Sequence, residues 1–240
     1  MSRTGKLLVV LLVFLGPGFV IWWIANTISN HFIKPPYLGW EYTRDEHGNI
    51  TDSAAYTIPD FQLTTFDGKI INRDSIRNKF IIVTTLQDEC PSQKECGLGV
   101  VLFNEIIYSV MLKHPEGYHN VRVLSILTDQ DGKPDSTVSD LLAEEMKEYD
   151  QKLWWMTTGD PSPFYSFNYY GDQFNHHPST PEDYEIGKYA FTNSLVLIDK
   201  EGYIRGVSNA RSDTHLRNFF DILKLLKREE FDADRQKRNK

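Results

Sequence analysis

Two apolar patterns alternate along the chain. Continuous β-branched runs, KFIIVTTL at 79–86 and VRVLSILT at 121–128, predict strands buried on both faces. Other stretches follow a helical period. LGVVLFNEIIYSVMLKH sets Leu98, Val101, Leu102, Ile106, Val110 and Met111 at helix spacing. STVSDLLAEEMKEYD predicts a second helix, with Ser136 as N-cap and Ser139 and Asp140 as alternatives. DTHLRNFFDILKLLKREEF puts Leu216, Phe219, Phe220, Leu223 and Leu226 on one face of a closing helix. FQLTTFDGKII and SLVLIDKEGYIRGV read as hairpins turning at Asp67-Gly68 and at Lys200-Glu201-Gly202. LWWMTTG adds a short strand, and a long aromatic and polar stretch separates it from the second hairpin. Hairpin, strand, helix, strand, helix, strand, hairpin, helix is the order of an α/β domain with a mixed sheet and helices on both faces.

The N-terminus has a different pattern. Arg3 and Lys6 precede an uncharged apolar run from Leu7 to Ala25, with Trp22 and Trp23 near its end. As helix the run is roughly 28 Å long, close to the hydrocarbon thickness of a bilayer. The expected organisation is a cytoplasmic N-terminus (1–6), a transmembrane anchor (7–25), a polar linker with little order of its own (26–55), the folded domain (56–228) and a charged tail (229–240). The early basic residues place the domain on the outer side of a cytoplasmic membrane, which in a bacterium is the periplasm. Disulfides persist in that compartment.

Composition narrows the function classes. With 240 residues, 40% of them hydrophobic, the domain can bury a core without disulfide support. A formal charge of -7 argues against a nucleic-acid partner, and the basic end of DRQKRNK reads as a solvated tail. No dinucleotide fingerprint, phosphate-binding loop, H-E-x-x-H or nucleophile elbow is present. DQDGKPD lacks the spacing and terminal glutamate of a calcium loop and reads as a turn.

The chemistry is concentrated in LQDECPSQKEC, which holds the only two cysteines, Cys90 and Cys96. A cysteine pair between the first buried strand and the first helix has the thioredoxin-like placement, where helix N–H groups stabilise a thiolate. Asp88, Glu89 and Glu95 oppose a thiolate, and Lys94 favours it. On a regular helix, cysteines at i and i+6 stand about 9 Å apart, beyond disulfide reach. The two thiols cooperate only if the residues between them form a loop and the helix starts near Gly97 or Leu98. The alternative is two unrelated packing cysteines.

Several stretches taken together resemble the SCO/SenC family. They are PDFQLTTFDGK, the strand followed by Cys90-Pro91, VRVLSILTD, WWMTTGD and SLVLIDKEGYIRG, in an order that covers roughly Tyr56 to Leu226. The resemblance implies a membrane-anchored, thioredoxin-fold copper chaperone acting in cytochrome oxidase assembly, with Cys90 and Cys96 as metal ligands and as the redox pair. It also implies partners: an oxidase subunit or another thiol protein. Two departures stand out. The family's C-P-x-x-C-P is here CPSQKECG, and Asn193 stands where the family has its histidine ligand. An amide is a poor ligand for Cu(I). His176 and His177, and more remotely His215, are the substitutes; His31, His47, His114 and His119 lie in turns or the linker. Three readings remain: copper handling, thiol–disulfide exchange without metal, and a scaffold that has lost the chemistry.

Overall fold

The computed structural model describes residues 15–24, 34–88, 98–129, 132–169, 172–174 and 193–238. It divides into two units, Met1–Lys34 and Pro35–Lys240. In the first unit, 15–24 are helical and Leu15, Phe19, Trp22 and Trp23 are exposed. The rest of the expected anchor, 7–25, lies outside the described residues. Among the described residues no helix is long and apolar enough to cross a membrane.

The second unit runs through strands β1 (Trp40–Arg44), β2 (Ile50–Ala55), β3 (Gln62–Thr65), β4 (Ile70–Asn72), β5 (Phe80–Leu86), β6 (Val121–Leu127), β7 (Trp154–Thr158), β8 (Asn168–Tyr169), β9 (Asp172–Gln173), β10 (Ser194–Ile198) and β11 (Ile204–Asn209). Its helices are α1 (Arg73–Ile76), α2, α3 (Pro115–Tyr118), α4 (Asp140–Met146), α5 (Ser162–Tyr165) and α6 (Asp213–Arg238). Helix α2 is continuous through Val100–Phe103, a π turn at Asn104–Tyr108 and Ser109–Lys113. Seven strands form the main sheet in the order β11-β10-β5-β6-β7-β3-β4. Strands β5, β6 and β7 are parallel; β10 and β3 flank them antiparallel. This is the expected thioredoxin-like mixed sheet.

Burial follows from the position of β5. All seven of its residues are buried, because apolar layers cover both faces. Phe80, Ile82 and Leu86 join Phe103, Met111, Leu216, Phe219 and Leu223 in the layer under α2 and α6. Ile81 and Val83 point the other way, towards Ile58, Phe164, Phe167 and Ile204. Trp154 is fully buried and donates its indole N–H to Ser125 Oγ at 2.8 Å, so its polar atom is satisfied inside the core. The hairpin turn at Asp67-Gly68 is confirmed, with Gly68 at φ +84°, a conformation that favours glycine.

Three sequence expectations change. Strands β1 and β2 lie inside the stretch assigned to the linker. Their side chains are almost all exposed, so no apolar alternation marked them. The hairpin is held at its root, where Tyr56 N donates to Gly39 O and Leu38 N to Ile204 O. The N-cap of α4 is Ser139, whose Oγ accepts from Leu142 N, and not Ser136. The expected charged tail is helical up to Arg238. Its first residues are anchored: Glu229 pairs with Arg205, and Glu230 with Lys200 and Lys227.

The root of the first hairpin also carries a pH signature. The Tyr56 hydroxyl donates to Pro163 O at 2.9 Å; burial, helped by the charge of Glu41, pushes its pKa up to about 12. A phenol with a raised folded pKa contributes stability that is intact below the unfolded value near 10 and is lost as pH rises towards the folded one. The thermal midpoint is expected to fall as pH rises from 10 to 12, and to fall less in Tyr56→Phe. Melting curves of both proteins across that window check this; parallel declines would remove Tyr56 as a cause.

Candidate functional site

The segment 89–97, which contains both cysteines, lies outside the described residues; the residues that flank it, Asp88 and Leu98, are held as follows. The segment departs from the C-terminal end of β5, which pairs with β10 on one side and with β6 on the other. It returns at Leu98, whose N–H donates to Thr85 O at 3.2 Å. The chain therefore closes on itself within one residue pair of the sheet.

The departing arm is held by side chains. Gln87 Nε2 donates to Thr128 Oγ1 at 2.7 Å and to Thr85 Oγ1 at 3.3 Å, tying the exit of β5 to the exit of β6. The Asp88 carboxylate accepts from Ser139 N and, at 2.6 Å, from Ser139 Oγ. Ser139 Oγ in turn accepts from Leu142 N at 3.2 Å, capping α4. The arm that leads into the cysteine segment is thus fastened to two other elements. Neither Gln87 nor Ser139 was singled out for the site by sequence. Asp88 and Ser139 are separated by 51 positions, so no local pattern links them.

The returning arm leads into a helix terminus. Helix α2 begins at Val100 after Gly99, with no side-chain cap. The described helix therefore starts beyond Cys96, as cooperation of the two thiols requires. Among the described residues no N-cap side chain accepts from its first turn, and the N–H groups of a helix N-terminus favour negative charge nearby.

Asn193 stands at the same end of the sheet. Strands β10 and β5 pair at Val196–Val83, Leu197–Ile82 and Ile198–Ile81. Continuing that register places Asn193 opposite Leu86, where the chain leaves for the cysteine segment. The Asn193 carbonyl accepts from Ala210 N at 2.7 Å. The residue is only 4% exposed, and among the described residues its buried Oδ1 has no hydrogen-bond partner. The fold thus brings Asn193 to the base of the cysteine segment, and among the described residues no imidazole is found to join it.

The other candidates fall differently. His176 and His177 lie outside the described residues, as do Cys90 and Cys96. His215 is exposed in the first turn of α6. Among the described residues no group of three His, Cys, Asp or Glu side chains could hold a metal ion.

No protein-family model and no curated protein matches the chain. Solved structures do. The chain is similar to an SCO1/SenC family lipoprotein from Bacillus anthracis, at 20% identity and TM-score 0.48, over 71% of this chain and 95% of that one. It is similar to BsSco, a Sco-family cytochrome c oxidase assembly protein with a disulfide switch, at 15% identity and TM-score 0.46, over 71% and 93%. Copper-bound yeast Sco1 is similar at 16% identity and TM-score 0.43, over 71% and 92%. These solved structures are Sco proteins, the family that the sequence itself resembles.

Proposed function

We propose that the chain is a divergent Sco-like protein acting in thiol redox chemistry through Cys90 and Cys96. Its setting is respiratory oxidase assembly, and its domain is tethered by the apolar run 7–25 on the outer side of a cytoplasmic membrane. One observation carries the reading. The only two cysteines sit in a short segment whose ends are pinned together at the C-terminal edge of β5, directly ahead of an uncapped helix N-terminus.

The chemistry follows from that placement. One thiolate of the pair attacks a sulfur of a partner's disulfide, forming a mixed disulfide and releasing the partner's other sulfur as a thiolate. The second cysteine then attacks its neighbour's sulfur in the mixed disulfide. The partner leaves as a dithiol, two electrons richer, and the pair is left as an intramolecular disulfide. An extracytoplasmic dithiol donor must return it to the reduced state. The protein supplies proximity, a helix terminus that favours the thiolate, and pinned segment ends that limit how far the thiols separate.

Copper handling, with Cu(I) as cargo between two thiolates, is the second reading. The matched stretches around Cys90-Pro91 favour it, and the amide at 193 opposes it. Two measurements on the reduced full chain in detergent separate the readings. Thiol exchange predicts an intramolecular disulfide with a potential within the range of extracytoplasmic thiol couples. It also predicts that single Cys→Ser variants trap mixed disulfides that the wild type resolves. An anaerobic Cu(I) competition titration is then expected to show weak binding, unchanged by Cys90→Ser. Tight stoichiometric binding lost in that variant would instead select copper. Absence of both a disulfide and tight binding would leave the domain a scaffold.

A further inference from the structure

We infer that the groove between β11 and β1 is a docking site for an extended peptide segment of a partner protein, which lies against β11 as a further strand. The inference goes beyond the thiol reading and uses neither cysteine. The groove encloses about 740 Å³ between the two strands, with Asn168 and Tyr169 of β8 along it. Both of its walls are open strand edges. On β11, Ala210 N donates to Asn193 O, so 193 and 210 form a hydrogen-bonded pair. Such pairs alternate along an antiparallel ladder. Leu195–Ser208 and Leu197–Gly206 therefore bond inward, and Val207 turns its N–H and C=O away from β10. That outer edge faces the groove: Ile204 O accepts from Leu38 N there, and both Leu38 and Val207 line the groove. On β1, Tyr56 N donates to Gly39 O, and the same alternation turns Trp40 and Tyr42 away from β2. Asn168 Nδ2 donates to Trp40 O on that edge, and Asn168 lines the groove. Among the described residues no hydrogen bond claims the backbone groups of Val207 or Tyr42.

The chemistry of the walls names the occupant. Unpaired N–H and C=O groups on a strand edge are matched by the backbone of another extended chain. Trp40, Tyr42 and Arg44 alternate along β1, so their side chains share one face. Tyr37, Trp40 and Tyr42 line the groove and are 40%, 39% and 49% exposed. Their rings offer apolar contact to every second side chain of the added strand. Arg44 is the one charged side chain among the described residues that line the groove. Its guanidinium donates to Gly48 O at 2.8 Å and has further donors for a carboxylate. The partner segment is thus extended, apolar at alternate positions and acidic where it meets Arg44. Main-chain bonds supply affinity, and the rings and Arg44 select the sequence.

The test pans a phage-displayed library of random linear dodecapeptides against the full chain in detergent and measures the enriched peptides by fluorescence anisotropy. Enriched sequences are expected to be apolar at every second position, with an acidic residue at one end. N-methylation in the centre of a bound peptide is expected to weaken binding about tenfold, because it removes a main-chain donor. Val207→Pro is expected to do the same, since it removes the outward N–H and leaves the ladder with β10 in place. Trp40→Ala is expected to cost about tenfold by removing a ring face. Arg44→Glu is expected to turn the preference from acidic to basic peptides. Unchanged thermal midpoints show that the variants fold, and the N-methylated peptides test the wild-type chain even where a variant does not. Enrichment of no peptide would overturn the inference. So would binding indifferent to N-methylation, or to both Val207→Pro and Trp40→Ala. A dimer in light scattering that Val207→Pro abolishes would make the occupant a second copy and overturn it too. Each of these outcomes leaves thiol exchange in place.

Discussion

Replacing Arg205 by alanine is expected to destabilise the folded domain by about 3–5 kcal/mol, because it strands a buried carboxylate. Arg205 and Asp199 expose only 5% and 3% of their side chains, and they pair at 2.9 Å. The same guanidinium donates to Pro35 O at 2.7 Å and to Glu229 at 3.0 Å, and lies 4.2 Å from the centre of the Tyr37 ring. Burial works against its charge, but Asp199 and Glu229 outweigh that and raise its pKa. Asp199 meanwhile shapes the β10–β11 turn by accepting from Glu201 N and Tyr203 N. One side chain thus joins the start of the folded unit, its last hairpin and its last helix. In a chain of this size the loss corresponds to a midpoint lower by roughly 10 °C. Replacing both members by apolar residues of similar size (Arg205→Met with Asp199→Leu) should recover part of it, since no unpaired charge is left behind. Calorimetry of the two variants checks this. A loss below about 1 kcal/mol in Arg205→Ala would mean that water reaches Asp199.

Asn193→His is expected to raise Cu(I) affinity by about tenfold or more, since it adds an imidazole, a donor that suits copper, where a poor amide ligand now stands. The expectation depends on the register that puts residue 193 opposite Leu86. Among the described residues the buried Oδ1 of Asn193 has no hydrogen-bond partner, so replacing the amide breaks no side-chain bond of that oxygen. Competition titration of the reduced variant, alone and with Cys90→Ser, is the check. The gain should vanish with the cysteine. An affinity equal to that of the wild type would place residue 193 out of reach of the thiols and weaken the equivalence with the family histidine.

How legible these features were depends on how local their causes are. Strands β5 and β6 were visible because a strand covered on both faces needs an unbroken apolar run. The β10–β11 hairpin and α6 were visible for similar reasons, each carrying its turn or its stripe within one window. Helix α2 was visible as a helix but not in its phase. The period placed Val101 on the buried face, yet it is 72% exposed, while Ile107 and Tyr108 are buried. The π turn at Asn104–Tyr108 shifts the face partway along, and no single period describes both halves. Strands β1 and β2 left no signal because almost nothing in them is buried. Around the candidate site, Cys90, Cys96 and Asn193 were chosen by residue type and by resemblance. The Asp88–Ser139 clamp was not, since it exists only once the fold brings α4 beside the end of β5.

The closure between Thr85 and Leu98 has a consequence for length. Because the segment starts and ends at nearly the same place, the scaffold does not measure how many residues lie between. Two residues more than the family's spacing, nine in the segment instead of seven, add only about 0.2 kcal/mol of closure entropy. Insertion there is almost silent in folding, yet it changes the number of residues between the two cysteines. A thiol pair on such a closed detour can be retuned by chain length alone, with the sheet and both of its cores left as they are.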